Sequence, residues 1–106
     1  MGIDQELINE VVKRVVSVTK PQRIILFGSA ANDNMTKDSD IDLLILESNP
    51  INTRKESDRI RDVMRGLDYP LDILVMTIER FEESKNVIGG IAFPANKYGK
   101  VIYEAA

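Results

Sequence analysis

Apolar residues recur at helical spacing through residues 4–19, at Leu7, Ile8, Val11, Val12, Val15 and Val16. They form one stripe, which predicts an amphipathic helix laid on a core. Asp4 is placed to cap its start, and Pro21 ends it. The valines are β-branched and weaken intrinsic helix propensity, so packing must hold this helix together. The pattern then changes. Residues 23–27 form a short apolar run closed by Gly28-Ser29, which reads as a buried strand. Residues 30–38 are small and polar and predict a loop or one short helical turn. Residues 41–46 are apolar on both faces, a second buried strand stopped by Ser48-Asn49-Pro50.

Thr53 opens the next predicted helix, with Glu56 at capping-box spacing. Ile60, Val63, Met64 and Leu67 supply its apolar stripe, and Gly66 or Asp68 ends it. Asp58 with Arg61 and Asp62 with Arg65 sit on its wet face at pairing distance. Residues 71–76 read as a third strand. Thr77 caps a helix over residues 78–88, which Gly89-Gly90 breaks. Residues 91–98 predict a further short helix bent or started by Pro94, and residues 100–103 a terminal edge strand. The alternation of strands and helices predicts an α/β (α+β) domain, a small mixed sheet with helices packed mainly on one side. A chain of 106 residues fits one domain, 1–106.

Composition narrows the chemistry. There is no cysteine and no histidine. Disulfides, cysteine nucleophiles, Ser-His-Asp triads and histidine-based zinc sites are excluded. A metal here must sit on oxygen, which selects Mg²⁺, Mn²⁺ or Ca²⁺. The net charge of −3 makes the chain a poor polyanion binder, so nucleic acid is not the expected partner. No apolar run approaches the roughly 20 residues that span a bilayer. The acidic, polar start carries no secretory signal, and a cytoplasmic location is expected.

The chemically informative stretch is Gly28-Ser29, ten residues, then Asp40-Ile41-Asp42. Residues two apart on a strand share a face. Asp40 and Asp42 therefore project side by side at the entry to a buried strand, where they repel each other and resist desolvation. A hard divalent ion between them removes both penalties. A short turn makes the first two strands antiparallel neighbours, and the crossover through the Thr53 helix makes the second and third parallel. Asp72, at the start of the third strand, then lies at the same rim as Asp40, Asp42 and the Gly28-Ser29 turn. Gly28 permits close backbone approach. Ser29 offers a hydroxyl and an N–H to phosphate, and a helical turn begun at Ala30 would add a favourable dipole. This set suits a nucleoside triphosphate with its metal ions and an in-line displacement, with Asp72 also positioned to take the proton of an attacking hydroxyl.

These residues resemble the DNA polymerase beta-like nucleotidyltransferase superfamily, and most closely its minimal nucleotidyltransferase (MNT) family. The resemblance is carried by Leu26-Phe27-Gly28-Ser29, Asp38-Ser39-Asp40-Ile41-Asp42-Leu43-Leu44 and Leu71-Asp72-Ile73-Leu74. It implies the nucleotidyltransferase fold, with Asp40, Asp42 and Asp72 as catalytic metal ligands and Gly28 and Ser29 as the nucleotide-binding turn. It further implies Mg²⁺ or Mn²⁺ as cofactor, ATP as the nucleotide substrate, and AMP transfer to a hydroxyl on a helical HEPN-domain toxin, the chain being the antitoxin of the pair. One departure stands out. Asn32-Asp33 occupy positions where the family often has Arg-Gly, so a positive charge is missing and a negative one added; Lys37 or Arg23 are the candidates to compensate. The alternative reading is therefore a catalytically weak or inactive binding module that neutralises a toxin by contact.

Other residues are read as structural. Asp38 is a solvated neighbour and Asp33 a loop residue. The charges on the Thr53 helix form a wet face, the valine stripe is core, and Phe93, Tyr98 and Tyr103 are packing residues.

Overall fold

The computed structural model describes residues 5–28, 41–48, 52–67 and 69–105. Its elements run α1 (Gln5–Val18), β1 (Arg23–Phe27), β2 (Ile41–Glu47), α2 (Thr53–Val63), β3 (Leu71–Thr77), α3 (Ile78–Ser84), α4 (Ala92–Tyr98) and β4 (Lys100–Glu104). The strands form one mixed sheet in the order β3-β2-β1-β4. β1 pairs antiparallel with β2 and with β4, whereas β2 and β3 are parallel. The strand directions expected from the short turn and the helical crossover are those observed.

β2 is the centre of the molecule, and its composition explains why. Ile41, Leu43 and Ile45 face one side with Val11, Val15, Ile24, Leu26, Ile60, Met64, Ile73 and Val75. Leu44 and Leu46 face the other with Ile25, Phe81, Ala92 and Ala95. A strand buried on both faces needs cover on both faces. The longer helices α1 and α2 cover the first, and the short α3 and α4 cover part of the second. Each buried Leu or Ile contributes roughly 1.5–3 kcal/mol relative to exposure, and Leu43, Leu44, Ile45 and Leu46 are all fully buried.

Several local details depart from the sequence reading, each for a visible reason. α2 is capped by Asn52 rather than by a Thr53–Glu56 box: the Asn52 side chain, on an extended backbone, accepts from the N–H groups of Arg54 (3.0 Å) and Lys55 (3.1 Å). Glu56 thereby becomes the fourth helical residue and is no longer placed to close the box. α2 also ends early, at Val63. Gly66, at φ +95°, turns the backbone out of the helix as expected, and Arg14 of α1 secures this end, its guanidinium donating to the carbonyls of Val63 (3.1 Å) and Arg65 (2.9 Å). Glu10 holds that guanidinium at 2.8 Å.

Thr77 caps α3 as expected, accepting from the Arg80 N–H at 3.1 Å, but the helix stops at Ser84 rather than at residue 88. Beyond it Val87 and Ile88 are 60% and 81% exposed, so no apolar surface is present to reward further turns. Val16 and Tyr98, expected as core and packing residues, are both exposed. Val16 lies past the margin of the α1 stripe, and Tyr98 ends α4 beyond the last buried contact, Ala95. The expected pairs Asp58–Arg61 and Asp62–Arg65 are present at 3.5 Å and 3.0 Å. The expected Asp4 cap, the 30–38 segment and the Asn49-Pro50 stop lie outside the described residues.

Among the polar residues the fold buries Glu47, only 6% exposed at the end of β2. Burial, then the negative charge of Glu56, raises its carboxyl pKa above the ordinary value. The unfolded chain thus loses this proton at lower pH than the folded chain does. Stability from this group is fully present below the ordinary carboxylate range and falls as pH rises toward the raised value.

Two outcomes are expected. Ile45→Ala, which empties a site shared by β2 and the α1–α2 layer, loses about 2–5 kcal/mol of unfolding free energy in urea titrations. Glu47→Gln, melted in EDTA, gains on the wild type as pH rises: the two melting temperatures converge near pH 4 and separate by pH 7.5. A pH-independent gap would contradict the assignment.

Candidate active site

The register of β2 decides where the acids lie. Asp42 pairs with Asp72 across the parallel β2–β3 ladder, and with Phe27 across the antiparallel β1–β2 ladder. Residues in register on neighbouring strands share a face, and the strands are about 4.8 Å apart. Asp42 and Asp72 are therefore adjacent, on the same sheet face as Leu44 and Leu74. Asp42 is half-buried and Asp72 exposed. Leu74, next along β3 on that face, is 37% exposed, so among the described residues this end of the sheet is open while α3 and α4 cover the rest. Like charges directly opposite on a sheet are destabilising. The apolar burial along β2 and β3 is what holds the two strands in this register.

Gly28 follows β1 immediately and has φ +77°, a left-handed backbone that glycine adopts without strain. Its lack of a side chain has a second use. A Cβ at Gly28 would collide with the Asp42 carboxylate. The glycine thus leaves the space that the Asp42 carboxylate occupies, and its backbone closes one side of the acid pair.

Of the five expected site residues, Gly28, Asp42 and Asp72 are brought together at one rim of the sheet. Ser29 and Asp40 lie outside the described residues, as do Lys37, Asn32 and Asp33. Among the described residues no three potential metal-ligating side chains converge, the described part of the candidate site holding two carboxylates. Their donor set, carboxylate oxygens beside a side-chain-free backbone turn, fits a hard divalent cation. Arg23, one of the two candidates to replace a missing positive charge, stands at the other end of β1 and pairs with Glu104 at 3.2 Å. It does not reach the acid rim. Lys100, opposite Leu26 on β4, begins that strand at the rim end; sequence spacing gave no reason to single it out, because only the β1–β4 register brings it there.

The fold in which this acidic rim is placed is matched by comparison with known proteins. The nucleotidyltransferase domain family model matches residues 6–94, and the chain belongs to that family. No curated protein matches it in sequence. In fold it is similar to a toxin–antitoxin complex containing AMP-PNP (16% identity, TM-score 0.63, covering 92% of this chain and 73% of that one). It is likewise similar to a candidate nucleotidyltransferase from Sulfolobus solfataricus (20% identity, TM-score 0.63, 93% and 78% covered). A third similar structure contains a tri-AMPylated HEPN toxin from Shewanella oneidensis with its MNT antitoxin (19% identity, TM-score 0.62, 96% and 74% covered). The expected nucleotidyltransferase fold is thus the fold observed, and solved chains that share it include MNT antitoxin complexes.

The contact between Gly28 and Asp42 carries a prediction. Gly28→Ala loses about 1–3 kcal/mol through backbone strain at positive φ and through displacement of the Asp42 carboxylate. In the double variant with Asp42→Ala the second part of the loss disappears, so the two substitutions are non-additive by more than about 0.5 kcal/mol in a double-mutant cycle of urea unfolding. Strict additivity would contradict the contact.

Proposed function

We propose that this nucleotidyltransferase moves AMP from ATP to a hydroxyl on a partner protein, a HEPN-type toxin for which the chain is the antitoxin, in the cytoplasm. The observation that carries the reading is the in-register pairing of Asp42 with Asp72 beside Gly28. Its setting supports it: a nucleotidyltransferase domain over residues 6–94, and fold neighbours that include one complex with AMP-PNP and one with an AMPylated HEPN toxin. Among the described residues no helix is long and apolar enough to cross a membrane.

In this reading Asp40, Asp42 and Asp72 hold divalent metal, Mg²⁺ or Mn²⁺, and Gly28 and Ser29 present backbone and hydroxyl donors to the phosphates. The metal would supply charge neutralisation on the phosphate oxygens and on the leaving pyrophosphate. Asp72, the exposed member of the described pair, accepts the proton of the attacking hydroxyl. The hydroxyl oxygen bonds to the α-phosphorus, the bond to the bridging oxygen breaks, and pyrophosphate leaves with the electron pair. The open face around Leu74 leaves room for an acceptor side chain to approach from solvent.

A second reading keeps the partner and drops the chemistry. Asn32-Asp33 in place of Arg-Gly favours it, as does Arg23, which stands too far along β1 to supply the missing charge. Here the chain neutralises the toxin by contact alone.

Labelled ATP, Mg²⁺ and a co-purified helical partner separate the two. Transfer of label to the partner is expected, and Asp42→Asn or Asp72→Asn lowers its rate on the scale of about 10²–10³ that removing one preorganised charge-stabilising group costs. Stable partner binding with no label, unaltered in both variants, would overturn the transferase reading in favour of the binding module.

A further inference from the structure

The far end of the sheet holds a second acidic pair that the nucleotide site does not use. Glu47 closes β2 five residues after Asp42, about 16 Å away along a strand. Glu56 lies on the first turns of α2. Both line a cleft of about 470 Å³ between the end of α1, the end of β2 and the start of α2, together with Thr19, Gln22 and Ser48. Glu47 is 6% exposed. Each of the two carboxylates keeps one oxygen, Oε2, shut from solvent and without a hydrogen-bond partner. Buried acceptors of this kind are normally satisfied, and an unpaired buried carboxylate oxygen is costly.

The positive charge of Arg59 offsets part of the cost to Glu47, but the basic residues at the cleft give neither Oε2 a hydrogen bond. Arg59 turns its guanidinium to the Val18 carbonyl at 3.3 Å, which caps the end of α1. Lys20 is exposed at the rim. Apart from Val18, the other lining side chains, Thr19, Gln22 and Ser48, carry oxygen donors of the hard type. Thr19 gives its hydroxyl proton to the Val15 carbonyl (3.2 Å), and its oxygen lone pairs remain for a ligand. The cleft exceeds the roughly 30 Å³ of a water molecule many times, so an ion can enter with part of its hydration shell.

We infer that Glu47 and Glu56 form a second divalent-cation site, separate from the nucleotide rim, in which a partly hydrated hard cation bridges the end of β2 to the first turns of α2. The inference does not depend on the proposed transferase chemistry. Two carboxylate oxygens from separate elements, a hydroxyl and space for water match the ligand preferences of such ions. A bound ion neutralises the buried Glu47 and the half-buried Glu56 at once and ties α2 to the sheet. An ion that binds only the folded chain raises its stability with concentration.

The test is Mn²⁺ binding to the full chain without nucleotide, counted by the loss of the free-ion electron paramagnetic resonance signal. Circular dichroism melts accompany it. The Asp40→Asn, Asp42→Asn, Asp72→Asn triple variant removes the rim site. It is expected to retain one Mn²⁺ per chain and a melting temperature that rises with Mn²⁺. Adding Glu47→Gln, or separately Glu56→Gln, weakens that remaining binding at least tenfold and abolishes the rise. Far-UV spectra in EDTA establish that each variant is folded, and the two Gln variants stand in for one another should one fail. A triple variant that binds no Mn²⁺, or binding unchanged by both Gln substitutions, would overturn the inference; a pair that merely shares a proton gives the first of these results.

Discussion

The register of β2 between its two neighbours is the constraint from which the rest follows. One strand pairs antiparallel with β1 and parallel with β3, and those ladders fix Asp42 opposite Phe27 and Asp72 together. A slip of one residue would turn Leu44 and Leu46 out of one core and Leu43 and Ile45 out of the other. The apolar burial on both faces therefore sets the position of an acid pair that electrostatics alone would separate. Fold energy and site geometry are coupled here through one strand rather than through dedicated contacts.

The same strand carries an acid at each end. Near its start, Asp42 sits against the bare backbone of Gly28 on a face left open around Leu74. At its finish, Glu47 is buried between α1 and α2 beside Glu56. The two ends differ in exposure and in what surrounds them, and this difference separates their chemistry. The open pair can meet a large, highly charged substrate. The second pair sits in a cleft of about 470 Å³, and an ion held there acts on how α2 is fastened to the sheet.

Much of this was legible in the sequence. Strand identities followed from apolar runs bounded by Gly and Pro. Strand directions followed from connection length, a short turn before Asp40 and a helical crossover before Asp72, and directions were enough to bring Asp42 and Asp72 to one rim. What escaped was information that resides in tertiary contact. Arg14 satisfies carbonyls at the end of α2 from another helix, which no local signal on α2 reveals. The loss of a turn and more from α3 depends on where the sheet stops supplying apolar surface. Asn52 outcompeted Thr53 as cap because both are good caps and only the backbone decides. The burial of Glu47 was hidden because it ends an apolar run, a position where an acid is ordinarily solvated. Asp40 and Ser29 remain legible from sequence alone, since they lie outside the described residues.

The most direct test of the acid rim is a crystal of the chain soaked with Mn²⁺ and a non-hydrolysable ATP analogue, with manganese located by its anomalous signal. The account predicts a manganese peak coordinated by carboxylate oxygens of both Asp42 and Asp72, within about 2.3 Å of each, and analogue phosphate on the Gly28 side of it. Manganese and nucleotide bound elsewhere, with Asp42 and Asp72 untouched, would contradict it.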